Sequence, residues 1–549
     1  MKRARFPAAR TLLAWLPALA WTATESAPPF AGQPDIVVIM ADDMGFSDIG
    51  CYGGEIHTPN LDRLADGGLR FTQFYNMGRC CPTRAALLTG LYPHQAGVGH
   101  MVTDYGLPAY RGRLSDRCVT LAEALARGGY RTSMVGKWHV TPFDYRTRRG
   151  TDRATWPLQR GFETFYGTLA GGGSFFDPPG LMRDNDPIRP ITTDYYYTDA
   201  ISDEAARTIR RHGDQERPLF LYVAYTCPHW PLHARSEEIA RYEGMYGVGW
   251  DAVRRERLKR MVRMGLVDPD SELTPRDRTV PPWEKVPHPE WEASRMAVYA
   301  AQIDRMDQGV GRIVVALEET GRLQNTLLLF LADNGGCAEV LRRGDWLERV
   351  GIVDPASPRG EPMQVGNDPT VPPGSPETFA SYGVGWANAS NTPFRLYKHW
   401  VHEGGVATPL IVHWPRQMTA RGELCRQPAH VLDIMATCLE VAAIGYPRQV
   451  NGREIIPLEG KSLVPAFSGR AIRREAIYWE HEGNRAVRTG DWKLVARHGR
   501  PWELYDLKAD RTETDNLVQQ QPELVERMIA MYERWARRCG VAPWPPKPP

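Results

Sequence analysis

The sequence predicts an α/β protein: a large mixed, mostly parallel sheet sandwiched by helices, followed by a small C-terminal antiparallel sheet with a terminal helix. Three observations carry this. Asp35-Ile-Val-Val-Ile-Met40 and Thr326-Leu-Leu-Leu-Phe-Leu331 are continuous apolar runs, the pattern of strands buried on both faces. Further short apolar runs alternate with helical patterns between them. From residue 475 the texture changes to short β-rich segments separated by Gly or Asp turns.

With 42% apolar and 24% charged residues among 549, the chain has the composition of a soluble globular protein, which excludes a disordered chain or a membrane bundle. Residues 1–23 combine Lys2, Arg3, Arg5 and Arg10 with a short apolar run, Thr11 to Ala23, and small residues at Ala18, Ala20 and Ala23. That is the pattern of an export signal, too short to span a bilayer. No later run is long enough to span one, so an exported protein without stable membrane insertion is expected, periplasmic or secreted. Removing the leader turns the formal net charge from +2 to −2, which offers no general pull toward nucleic acid. The one basic run, Arg254 to Arg263, reads as a solvated face of an amphipathic helix. Nine unevenly spaced cysteines without a CxxC pair make neither a disulfide framework nor a zinc site.

The first strand ends in Asp42-Asp43 and the Thr326 strand in Asp333-Asn334. Two strands of one parallel sheet would bring these four oxygen donors to its carboxyl edge, where open α/β sheets bind ligands. Oxygen-only donors select Ca²⁺ or Mg²⁺. Three carboxylates and an amide, completed by a ligand oxygen, suit the loose shell of Ca²⁺ better. The stretch Cys80-Cys-Pro-Thr-Arg84 to Thr89-Gly90 reads as a loop entering a short helix, with Pro82 suited to its first position and Gly90 as its stop. Residue 80 would then face a helix N-terminus, a seat for a tetrahedral oxyanion, beside the Arg84 fork. By composition alone it reads as a buried or disulfide-bonded vicinal cysteine pair ahead of an ordinary helix.

Ser115 to Gly129 reads as a helix with Leu121, Ala122 and Leu125 inward, leading into a strand, Tyr130 to Val135, that delivers Gly136-Lys137-Trp138-His139. Gly171-Gly-Gly-Ser-Phe-Phe176 suggests a close approach to a ligand with an aromatic wall. Pro218 to Tyr225 is another strand and delivers Pro228-His229-Trp230-Pro231, with His233 beyond it. Residues 293–320 read as a long amphipathic helix. Residues 337–390 are a Pro-, Gly- and Ser-rich excursion containing the formal glycosylation sequon Asn388-Ala-Ser390. Lys398 then precedes Glu403-Gly-Gly405 and the strand Pro409 to His413. Short strands at 476–480, 484–488, 492–496 and 502–506 and a helix from Gln521 to Cys539 complete the chain.

Cys-x-Pro-Ser/Thr-Arg, four residues and Thr-Gly resembles the signature of the sulfatases, and only from Cys80 do Pro and Arg fall at the right offsets. The Gly-Lys-Trp-His, Pro-His-x-Pro and Lys398…Glu-Gly-Gly blocks resemble the same family, over about residues 35–540. The blocks at 386–413 and 478–495 look most like bacterial arylsulfatases. Val140-Thr-Pro142 departs from the family's usual Leu-Gly after the histidine. The resemblance implies that a formylglycine-generating enzyme converts Cys80 to Cα-formylglycine. Asp42, Asp43, Cys80, Asp333 and Asn334 would hold the metal, and Arg84, Lys137, His139, His229 and Lys398 would be catalytic. It implies hydrolysis of sulfate monoesters through a formylglycine-hydrate nucleophile and a sulfated hemiacetal, with His229 and Lys398 serving the leaving alcohol and His139 the exit of sulfate. Expected boundaries are a signal at 1–23, a catalytic domain at 33–470 and a C-terminal subdomain at 471–549. Carbohydrate sulfates, phosphate or phosphonate monoesters, and a non-catalytic binding protein with an unmodified thiol are the competing readings.

Overall fold

The computed structural model describes residues 1, 32–190, 194–213, 215–419 and 421–547. The expected leader, beyond Met1, lies outside the described residues. Asp35–Ala41 and Thr326–Ala332 pair in parallel at the centre of an eleven-stranded sheet, and every residue of both is buried. Leu219–Ala224 and then Arg131–Lys137 continue in parallel on one side. Beyond them lie Thr164–Thr168, Leu181–Arg183 and Asp186–Pro187. On the other side Ala407–His413 runs antiparallel to Thr326–Ala332 and to Leu69–Tyr75. Glu423–Cys425 and Ala429–His430 close that edge, so the sheet is mixed but mostly parallel, as the apolar runs predict.

Register decides where the site falls. Ala41 lies opposite Ala332, Met40 opposite Ala224, and Gly136 opposite Ala224. Four neighbouring parallel strands therefore end level, and the residues that follow each emerge along one edge. Helices flank the sheet: Pro289–Glu319 packs with Tyr197–His212 and Pro59–Asp66, while Cys80–Thr89, Leu121–Arg127 and Asp433–Val441 pack together.

Several local expectations are corrected. The helix expected from Ser115 starts at Leu121, because Thr120 and Glu123 form a capping box: Thr120 Oγ1 accepts from Glu123 N (3.0 Å), and Thr120 N donates to Glu123 Oε2 (2.6 Å). Pro82 is the third residue of its helix rather than the first, still among the positions whose N–H has no intrahelical partner. Gly90 does stop that helix, at φ 64°. The basic helix, Trp250–Arg263, is not simply a solvated face. Arg257 is fully buried, donating to Asp48 Oδ1 (2.7 Å) and Glu55, and Arg254 is buried against Thr274. Asn388 of the sequon is 2% exposed inside the helix Gly383–Ser390 and is sealed from modification in the folded state. All nine cysteines are buried and free.

The C-terminal sheet is a four-stranded antiparallel meander: Ile477–His481, Asn484–Thr489, Trp492–Ala496 and Glu503–Asp506, followed by the helix Pro522–Cys539. Among the described residues no helix is long and apolar enough to cross a membrane.

Candidate active site

The level strand ends bring Asp42, Asp43, Asp333 and Asn334 together. Asp43 N donates to Asp333 Oδ1 (3.2 Å), and Asn334 Nδ2 donates to Asp43 Oδ1 (2.7 Å). Asp43 holds φ 66°, an uncommon conformation for a side-chain-bearing residue that turns the chain sharply at the strand end. Asp48 steadies this loop, accepting from Gly45 N and from Tyr299 Oη (2.8 Å each), and Tyr299 Oη also donates to Asp43 O.

Three cations face the three carboxylates. Lys137 Nζ donates to Asp42 Oδ2 (2.5 Å). Arg84 donates twice to Asp333 Oδ2 (2.7 and 3.1 Å) and once to Lys137 O (3.0 Å). Lys398 Nζ donates to Asp43 Oδ2 (2.8 Å) and lies 3.2 Å from His229 Nε2. Its backbone N donates to Gly336 O, which ties this loop to the Asp333 strand end.

The donor set fits a hard divalent cation. Asp42 Oδ1 and Asn334 Oδ1 are buried oxygens without a hydrogen-bond partner among the described residues, which is costly unless a cation takes them up. Burial, and then Asp333, push Asp42 well above the usual carboxylate range against the pull of Lys137 and Arg84. Burial raises Asp333 too, opposed first by Arg84. A dication would relieve both.

Cys80 opens a fully buried helix, with its sulfur within 4.8 Å of a His139 ring nitrogen and of Cys81. A hydrogen bond from Cys81, followed by the nearby Lys137 ammonium, holds its thiol well below the ordinary range against burial. An oxygen-bearing group at this position would find donors and acceptors around it. His139 sits at φ 54°, and burial lowers its pKa to about 4. The ring packs so closely on Gly171 that a Cβ there would lie 2.1 Å away. Gly172 meets His229. The glycine run thus approaches two candidate histidines, but Phe175 and Phe176 turn onto Tyr196 and His233 rather than forming a wall. His229 Nδ1 bonds Trp230 O (2.6 Å), which leaves Nε2 toward Lys398, and burial depresses its pKa strongly.

Sequence reasoning missed Glu339, Arg79, Trp230 and Tyr145. Glu339 accepts from Arg79 Nη1 (2.9 Å) and Trp230 Nε1 (2.7 Å). Burial opposes its charge, but Lys398 and Arg79 outweigh it and bring the pKa to about 2. The Trp230 ring lies tilted against His229 (centroids 4.3 Å apart), and Tyr145 Oη accepts from Gly171 N. Only Trp230 had a signal, its place inside Pro-His-x-Pro.

Known proteins resemble the chain along most of its length. Residues 34–444 match the family model described as Sulfatase, and 394–536 match "N-sulphoglucosamine sulphohydrolase, C-terminal". The chain is 34% identical to an arylsulfatase of Klebsiella aerogenes, over 78% of this chain and 91% of that one. It is 32% identical to an uncharacterised sulfatase of Schizosaccharomyces pombe, over 93% and 95%. The solved structure of Ps i-CgsB shares the fold, with a TM-score of 0.65 and 24% identity over 92% of this chain and 93% of that one.

Proposed function

The chain belongs to the sulfatase family, whose reaction is sulfate-ester hydrolysis, and from that premise we propose that it is an exported arylsulfatase that uses Cys80 as formylglycine and Ca²⁺ as its metal. The observation that carries this is the meeting, at one sheet edge, of three carboxylates and an amide with two orphan oxygens, three cations, two histidines and Cys80. Asp42, Asp43, Asp333 and Asn334 would hold the Ca²⁺, which supplies positive charge beside the sulfate oxygens and favours an ionised nucleophile. Mg²⁺ could occupy the same donors. Formylglycine at position 80, made by a formylglycine-generating enzyme, supplies as its hydrate two hydroxyls on one carbon, one to attack sulfur and one to let sulfate leave.

The chain's own residues do the rest. Arg84 and Lys137, each anchored to a carboxylate, present positive charge where the equatorial oxygens of sulfate gain negative charge. Lys398 holds a proton at Nζ between Asp43 and His229 Nε2. His229, whose Nδ1 is committed to Trp230 O, faces Lys398 through Nε2, and the pair would supply one proton to the leaving oxygen, which ends up on the released alcohol. His139, neutral and with Nδ1 unpartnered among the described residues, takes a proton at position 80. The basic, briefly apolar start of the chain supports export to the periplasm or beyond. The Klebsiella relative supports the aryl reading.

The test is turnover of 4-nitrophenyl sulfate, 4-nitrophenyl phosphate, a phosphonate monoester and a panel of sugar and steroid sulfates, by protein co-produced with a formylglycine-generating enzyme. The highest kcat/KM is expected on the aryl sulfate. A phosphorus ester turned over faster would overturn the proposal, and a preferred sugar or steroid sulfate would move the substrate out of the aryl class.

A further inference from the structure

A second group of ligating side chains lies where the C-terminal sheet meets the segments on either side of the Cys80 helix, and the proposed reaction does not use it. Glu482, in the turn after Ile477–His481, receives His100 Nε2 on Oε1 (2.7 Å) and His399 Nδ1 on Oε2 (2.9 Å). His481 Nε2 lies 3.7 Å from the same Oε1, and its ring stands parallel to His100. His399 N donates to Gly78 O (2.7 Å), so the group joins the loop before Cys80 to the turn of the small sheet.

Hydrogen bonding within the cluster accounts for Glu482 and His399 but not for His481. That ring is fully buried, and neither of its nitrogens has a hydrogen-bond partner among the described residues. His100 Nδ1 is likewise unpartnered. A buried imidazole aimed at a carboxylate without bonding anything is an unmet polar demand. One ligand atom from each of His100, His481 and Glu482 lies within 4.8 Å of the others. With zinc–nitrogen and zinc–oxygen bonds of about 2.1 Å, the atoms of a tetrahedral set stand about 3.4 Å apart. The observed 2.7 and 3.7 Å bracket that spacing. Burial keeps His481 neutral, the form that ligates. For Glu482, burial works against the charge, but hydrogen bonds from His100 and His399 hold its pKa well below the usual carboxylate range.

We propose that His100, His481 and Glu482 bind a divalent transition-metal ion of the zinc class, with His399 orienting Glu482 from behind and a fourth position left to solvent. Two imidazoles and one carboxylate suit zinc, as the oxygen-only set at the sheet edge does not. The ion would fasten the small sheet to the segment that carries the nucleophile.

The full chain, with the sheet-edge site kept saturated by excess Ca²⁺, is titrated with Co²⁺. Visible d–d absorption of four-coordinate Co²⁺, abolished by added Zn²⁺, is expected. His481→Phe and Glu482→Gln should remove it, and His399→Asn should weaken Co²⁺ binding about 10- to 100-fold. Should His481→Phe not fold, the partly exposed His100→Gln gives the same reading. Absence of the band in the folded wild-type protein, or its survival in Glu482→Gln and His100→Gln, would overturn the proposal. The readout does not depend on sulfate-ester turnover.

Discussion

The segment from Lys398 to Glu403 feeds two buried charge clusters built on opposite rules. At one end Lys398 enters the sheet-edge site, where Asp42 Oδ1 and Asn334 Oδ1 are left without partners. At the other end Glu403 enters a buried knot of ion pairs under the C-terminal sheet. Its Oε1 accepts from Lys493 Nζ (2.8 Å), its Oε2 accepts from Tyr75 Oη (2.9 Å), and Lys493 also meets Glu513 (2.9 Å). Burial disfavours both charges there, yet Lys493 holds Glu403 below the usual carboxylate range while Glu403 and Glu513 hold Lys493 above its own. In the sheet-edge site the carboxylates Asp42 and Asp333 are instead driven up. In the knot the pull of opposite charges prevails over burial, whereas at the sheet edge burial and like charge prevail over the pull of the cations. The knot belongs to the architecture, and under the proposed function the edge would do the chemistry.

The sharpest way to break that contrast is to remove the proposed nucleophile. Cys80→Ala should lower aryl-sulfate turnover by about 10⁴-fold or more while leaving the thermal midpoint almost unmoved, since one small buried group is lost. Steady-state assay and calorimetry on the same preparation check both halves. Residual activity within tenfold of wild type would sink the assignment of position 80.

The knot should respond in the other coordinate. Lys493→Met strands Glu403 and Glu513, both essentially fully buried, and should lower unfolding free energy by about 3–5 kcal/mol, with kcat per folded molecule little changed. Asp42→Asn should do the reverse. It relieves like-charge crowding and leaves Ca²⁺-depleted protein as stable as wild type or more so, while kcat falls by about 10²- to 10³-fold. Urea denaturation with and without chelator separates the two. A Lys493→Met protein as stable as wild type would erase the distinction between the clusters.

Within the site, Lys398→Ala tests which groups serve the leaving oxygen. Loss of about 10²-fold or more is expected on phenyl sulfate and clearly less on 4-nitrophenyl sulfate, whose leaving group needs little protonation. Equal losses on both would assign Lys398 to sulfate binding instead.

Much of the fold was legible because buried parallel strands write themselves as unbroken apolar runs. Asp35–Ala41, Leu219–Ala224 and Thr326–Ala332 are all of that kind. Each strand hands its chemistry to the residues immediately after it, so the strand-end residues could be read as one edge. What stayed hidden depends on partners distant in sequence. Arg257 looks like a surface charge until Asp48 and Glu55, some 200 positions earlier, close on it. Glu339 sits in a featureless excursion, and only folding brings it to Arg79 and Trp230. The helix start at Leu121 is different. Its Thr120-x-x-Glu123 capping box was present in the sequence and was simply outweighed by the apolar pattern.

The smallest expected effect concerns the joint behind the glycine run. His233, fully buried, accepts at Nδ1 from Phe175 N (3.3 Å) and donates from Nε2 to Thr378 O (2.6 Å), so it ties the Gly171–Phe176 segment to the excursion. The bond from Phe175 N needs an unprotonated Nδ1, so it is made only by the neutral ring, whereas the bond to Thr378 O survives protonation. Burial, partly opposed by the bond to Thr378 O, lowers its pKa to about 4 from an ordinary 6.5. The folded state therefore refuses a proton that the unfolded chain accepts. Stability from this group is complete above pH 6.5 and drains away as the pH falls toward 4, by about 3 kcal/mol over the window. Because protonation would set the Nδ1 proton against the Phe175 N–H, the loss should loosen the segment that abuts His139 and His229. Urea unfolding of wild type and His233→Leu, measured from pH 7 to pH 4, isolates it: the sheet-edge carboxylates titrate in both, so only the difference in slope belongs to His233. The variant should start less stable, with Phe175 N unpaired, and approach the wild type as the pH drops. Parallel curves would show that His233 keeps an ordinary pKa and that the joint does not sense acid.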